Sequence, residues 1–208
     1  EYDPRTGVWT EKGPTLEASH GLAYGVVGGR LYAIGGVQST STREYDPATD
    51  TWVQKKDAPD RLLWAASATM DGNIYVFSFV GDKFGFLMAQ AYDPALDSWA
   101  RIADLPLPAT QSCAQAADGN IYLIGGTTGT VSSAVHKYDP VTDEWTARAD
   151  MPTARRSLSC SEVGGVIYAI GGLDSADTPV ATVEAYDPRS DRWTTVADMP
   201  IARRDLVS

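Results

Sequence analysis

Short runs in which almost every residue is apolar recur along the chain, separated by polar turn-forming residues. They read LYAI at 31–34, IYVF at 74–77, IYLI at 121–124 and VIYAI at 166–170. Runs of this length bounded by Gly and Asp predict β-strands, and no helix-length 3.6-residue periodicity competes with them. Being apolar at consecutive positions, each needs cover on both faces, which a single sheet cannot provide for itself. A second string, Tyr-Asp-Pro, four residues and then Trp, starts at Tyr2, Tyr45, Tyr92, Tyr138 and Tyr186, with spacings of 43, 47, 46 and 48. A period of that size marks a repeated supersecondary unit. In the last unit the predicted strands are RRSLSCSEV (155–163), VIYAI (166–170), TVEAY (182–186) and RWTTVA (192–197), an antiparallel meander. Asp, Pro, Ser/Thr and a second Asp between the third and fourth strands are turn chemistry. Stacked four-stranded sheets, each covering its neighbour, satisfy the pattern.

The apolar strand ends in Gly-Gly at 35–36, 125–126 and 171–172, whereas the third unit has Ser78-Phe79. A diglycine closing the second strand, a Tyr on the third and a Trp opening the fourth resemble the kelch repeat. The resemblance implies an all-β kelch propeller of four-stranded antiparallel blades around a channel. The whole chain, 1–208, is then one propeller segment with blades at about 14–58, 59–105, 106–151 and 152–199, and partial units at 1–13 and 200–208. It opens on a third strand and stops in a first strand, so a piece of a longer, six-bladed ring is the expectation. A five-bladed ring, or an arc completed by blades of another chain, are the alternatives. Recurrence once per unit assigns the Trp and Tyr residues to blade-to-blade packing.

Composition narrows the chemistry. Two cysteines among 208 residues exclude a disulfide scaffold and structural zinc modules. Cys113 and Cys160 sit one register position apart in their first strands, so they are expected on opposite faces and unpaired. Only His20 and His136 exist, at different strand positions, so no metal or other cofactor is expected. Galactose oxidase, the copper enzyme built on kelch blades, needs a His, Tyr and crosslinked Cys set that this chain lacks. No Gly-x-Ser-x-Gly elbow or phosphate loop is present. A net charge of −10 disfavours nucleic acid. No apolar run could span a bilayer and no targeting segment is visible, so the chain is expected to be soluble and away from membranes, its compartment undetermined.

The candidate site residues are arginines entering first strands: Arg155 and Arg156 in ADMPTARRS, Arg203 and Arg204 in ADMPIARRD, and Arg61 in KDAPDRLLW. Gln111 with Ser112, and Ser19 with His20, stand at the positions taken as equivalent. In kelch adaptors, Arg at this place binds acidic peptides, so the resemblance implies a non-catalytic interaction module with a protein or acidic-peptide partner at the channel rim. Arg suits this because its planar fork holds a carboxylate at two points. A salt bridge from one Arg of each pair to Asp150, Asp198 or a neighbouring blade is the structural alternative. Two other functions stay open: an enzyme resembling bacterial sialic acid epimerases, holding an acidic sugar with Glu162 or His20 moving protons, and a structural repeat of a multidomain protein. Phe79, Phe84 and Phe86 form either an exposed apolar patch or part of the next interface.

Overall fold

The computed structural model describes residues 1–15, 21–36, 39–62, 64–80, 86–105, 110–127 and 129–206, with the backbone alone at 79, 80, 86 and 87. Among these, the chain is all-β. A two-stranded ribbon, β1 (Tyr2–Asp3) and β2 (Val8–Trp9), precedes four antiparallel meanders. The first blade is β3 (Leu22–Val27), β4 (Arg30–Gly35), β5 (Thr42–Asp46) and β6 (Thr51–Lys55). The second is β7 (Ala66–Met70), β8 (Asn73–Val80), β9 (Phe86–Asp93) and β10 (Ser98–Arg101). The third is β11 (Cys113–Ala117), β12 (Asn120–Ile124), β13 (Val135–Asp139) and β14 (Glu144–Arg148), and the fourth β15 (Ser159–Val163), β16 (Val166–Ile170), β17 (Val183–Asp187) and β18 (Arg192–Thr195). The innermost strands β3, β7, β11 and β15 lie side by side in that order.

The all-apolar second strands divide their residues between two interfaces, as the period of two requires. On β12, Ile121 and Leu123 pack with Phe77 and Ala89 of the second blade, while Tyr122 and Ile124 pack with Ile167 and Tyr186 of the fourth. Each interface also carries the same polar hub. Tyr186 Oη donates to Asp191 (2.6 Å), which also accepts from the Ala149 amide of the preceding unit (2.9 Å), and Trp193 Nε1 donates to the Ala149 carbonyl (2.9 Å). Asp143 with Ala103, Asp97 with Lys56, and Asp50 with Gly13 repeat the arrangement. The second Asp of each turn thus joins neighbouring blades besides shaping its own turn. Gly7 holds that position in the first unit, where Trp9 is 76% exposed.

Two sequence expectations change, and one departure from the repeat acquires a structural meaning. The innermost strand of the fourth blade begins at Ser159, not at Arg155, because Ser157 adopts a left-handed φ of 52° that interrupts the extended run. Where Ser78-Phe79 replace the diglycine, the hairpin runs on, and β8 and β9 reach eight residues against five or six elsewhere among second and third strands. Cys113 and Cys160 are joined by a disulfide, with Cα atoms 5.7 Å apart. They do point to opposite faces of their own blades, but the forward face of one blade meets the backward face of the next, so opposite orientation is what brings them together. Phe84 and the side chains of Phe79 and Phe86 lie outside the described residues, and with them the apolar patch or interface expected of these three.

Candidate functional site

The chain turns sharply just before each innermost strand. Gly21, Trp64, Gln111, Ser157 and Asp205 occupy this position with φ of 67°, 51°, 57°, 52° and 51°. Left-handed backbone is unusual for residues other than Gly, Asn and Asp, so recurrence at Trp, Gln and Ser shows that the surrounding contacts impose it. The contacts are backbone bonds running from unit to unit: Ser157 N donates to Gln111 O (2.7 Å) and Asp205 N to Ser157 O (3.0 Å). All five residues line one cavity of about 330 Å³ at the end of the channel where the innermost strands begin. Ser67, Ser112, Ser159, Cys113 and Cys160 form its deeper wall.

The second-to-third strand loops close on the same rim. Thr110 bridges Thr127, and Arg156 bridges Leu173. These bridges fix the register: Arg156 corresponds to Thr110, and Ser157 to Gln111. The equivalence of Arg155–Arg156 with Gln111–Ser112 is therefore wrong by two positions, because Pro106 rather than Pro108 matches Pro152. Five residues after the matching proline lie Trp64, Gln111, Ser157 and Asp205, a spacing that would have found Trp64, Ser157 and Asp205, which reading for charge passed over.

The arginines separate into three kinds. Arg155 is fully buried and unavailable to a partner. Its backbone belongs to the third blade, N donating to Ser132 O (3.1 Å) and O accepting from Gly126 N (2.8 Å). Its guanidinium enters the fourth, donating to Gly171 O (2.8 Å), Thr182 O (2.9 Å) and Glu184 (2.8 Å). Thr153 Oγ1 donates to the other Glu184 oxygen (2.8 Å). Burial pushes the guanidinium below its ordinary range and Glu184 opposes that shift; Arg stays charged regardless. The acid it pairs with is Glu184, not Asp150 or Asp198. Arg156 spans the rim, donating to Gln111 Oε1 (2.9 Å) and to the exposed Asp177 (2.5 Å). Arg61, Arg203 and Arg204 are exposed. Arg203, however, stands two positions before Asp205 as Arg155 does before Ser157, and makes the same backbone bonds, N donating to Val180 O (3.2 Å) and O accepting from Gly172 N (2.8 Å). It is therefore the counterpart of Arg155 and holds a packing position of the repeat rather than a place on the rim. Arg204 makes a loose pair with Asp205 at 3.6 Å, while no ion pair of Arg61 or Arg203 is seen among the described residues.

Ser112 is half-buried in the cavity wall, and His20 lies outside the described residues. Glu162 accepts from Gly165 N in the hairpin turn at the far end of β15, away from this mouth. His136 lies on the face of β13 that it shares with Leu123, toward the second blade, and burial lowers its pKa against a weaker pull from Asp150. Among the described residues no cluster of three His, Cys, Asp or Glu side chains could hold a metal ion.

The Kelch motif matches residues 108–152 and 154–200. The chain is 31% identical over 87 residues to Kelch-like protein terF of Aspergillus terreus, covering 36% of this chain and 19% of that protein. It is 34% identical over 73 residues to mouse Kelch domain-containing protein 7A, covering 35% of this chain and 9% of that protein. The matches thus span less than a fifth of either relative's length. Among solved structures, that titled "Structure of YjhT" superposes with a TM-score of 0.76 at 17% identity, covering 91% of this chain and 68% of its own, which is a likeness of fold.

Proposed function

Because the chain belongs to the kelch-repeat family, whose repeats generally serve in protein interactions, we propose that it is a non-catalytic module that takes an acidic segment of a protein partner at the channel mouth. The observation that carries this reading is the ring of left-handed positions around the 330 Å³ cavity with Arg61 and Arg204 exposed on the connections that enter it. A rim built from Trp64, Gln111, Ser157 and Asp205 offers an apolar plate, amide and hydroxyl hydrogen-bonding groups and one carboxylate. Arg61 and Arg204 supply cationic forks for acidic side chains. Arg156 is a weaker candidate for the partner, since Asp177 and Gln111 already hold it; it shapes the rim.

Panning a displayed random-peptide library against the chain tests the reading. The expected outcome is enrichment of Asp/Glu-containing peptides. Affinity for a selected peptide, read by fluorescence anisotropy, should fall at least about tenfold (1.4 kcal/mol) when Arg61→Glu is combined with Arg204→Glu. Arg189→Glu, in the β17–β18 turn of the opposite rim, should leave it unchanged. Neutral enrichment, or equal loss with both variants, overturns it. A cavity of this volume also admits one acidic sugar. Saturable turnover of such a sugar would move the protein to the enzyme class.

A further inference from the structure

The repeat brings the same two positions of neighbouring innermost strands together at every interface. Ala23, Ala66, Cys113 and Ser159 pair across their hairpins with Ile34, Phe77, Ile124 and Ile170, and so are equivalent; Tyr24, Ser67, Ala114 and Cys160 follow them. The juxtaposed pairs are therefore Ala23 with Ser67, Ala66 with Ala114, and Cys113 with Cys160. Small residues suffice at the first two interfaces, where Ser67 Oγ simply donates to Tyr24 O (2.8 Å). Packing does not demand sulfur here, yet the two cysteines of 208 residues occupy both halves of one such pair.

We propose that Cys113–Cys160 is a redox-responsive latch in the wall of the mouth. Closed, it ties the third and fourth blades directly beneath Gln111 and Ser157, whose backbone bond of 2.7 Å joins the same two blades. Both cysteines are only 8% and 7% exposed, and what exposure they have is to the cavity, which gives a small dithiol its route. The step is thiol–disulfide exchange with a dithiol reductant: one thiolate attacks a sulfur, the mixed disulfide is resolved by the second, and the products are two protein thiols and the oxidised reductant, its two protons transferred. Opening the latch leaves the Gln111–Ser157–Asp205 chain of backbone bonds to hold that wall. The consequence for partner binding rests on the function proposed above; the latch itself does not.

The test uses the intact chain without any ligand. Iodoacetamide should add no adducts to air-oxidised protein and two after dithiothreitol, by intact mass. Reduction should lower Tm by roughly 5–15 °C, as a closed loop of 47 residues is released. It should also speed amide exchange at Ser157 and Asp205 at least about tenfold. Cys113→Ala with Cys160→Ser reproduces the Ala23/Ser67 pair, so it should fold, match the reduced protein in Tm, and ignore dithiothreitol. Two adducts before reduction, or two after it with Tm and exchange unchanged, overturn the proposal.

Discussion

Arg155 and Glu184 show how one position can change roles between repeats. Their counterparts in the second blade are Leu62 and Gln90, both fully buried. There Leu62 joins the apolar interface, and no partner of the Gln90 amide is seen among the described residues. The fourth blade fills the same slot with an ion pair, whose guanidinium also meets four carbonyls. Arg155→Leu strands a buried carboxylate and is expected to cost about 3–5 kcal/mol. Adding Glu184→Gln recreates the second blade's pair and should recover at least half of that loss, measured by urea denaturation. Equal losses in single and double variants would mean that the carboxylate is not the liability. The Arg-Arg dipeptide was legible as two charges at the entry to a first strand, but burial was not. Arg155 precedes the left-handed Ser157 by two positions, and that turn, invisible to a reading by charge, sends its side chain inward.

At the scale of the element, the diglycines and the hairpin glycines look alike in sequence and differ in what surrounds them. A Cβ on Gly126 (φ 97°) would stand 2.7 Å from Thr110 O, and one on Gly172 (φ 106°) would stand 2.7 Å from Arg156 O. Gly164 (φ 64°) would meet nothing within 4 Å. Gly164→Ala therefore carries only the left-handed backbone cost of about 1–2 kcal/mol. Gly172→Ala adds a backbone clash in the connection that bears Arg156, and its urea midpoint should fall further. Similar midpoints would show that the connection yields freely. The strands themselves were legible because apolar runs, turn residues and the period all agreed. The run-on of β8 and β9 was flagged by Ser78-Phe79 as a departure, though its direction was not. With neither glycine to supply the φ near 100° seen at Gly36, Gly126 and Gly172, the strand continues extended. The Trp positions were legible as packing, and in the four blades they are half-buried. Trp145→Phe should lose chiefly the 2.8 Å bond to Ala103 O, about 1 kcal/mol by thermal or urea unfolding.

The whole molecule coheres through relations between repeats, which is where reading one unit at a time falls short. Strand register places the cysteines on opposite faces of their blades, but their bond spans two blades, a relation that the register of a single unit does not contain. The turn aspartates were likewise read inside their own unit, although each ties that unit to the one before. Their position makes stability depend on acid in a defined way. Tyr hydroxyls first, then the amides of Gly13, Lys56 and Ala149, hold Asp50, Asp97 and Asp191 below the ordinary carboxylate value. A carboxyl depressed in the folded state contributes stability that is complete above its unfolded pKa of about 3.9 and is lost as pH falls through the folded value. The same protonation loosens joints between successive blades, so acid should weaken several interfaces together. Asp191→Asn keeps an oxygen that can accept from Tyr186 and Ala149 but carries no charge. Its Tm should lie below the wild type at pH 7, and the gap should narrow steadily from pH 5 to pH 3. A gap of constant width across that range would mean that the carboxylate's charge contributes nothing and that the hub works by hydrogen-bond geometry alone.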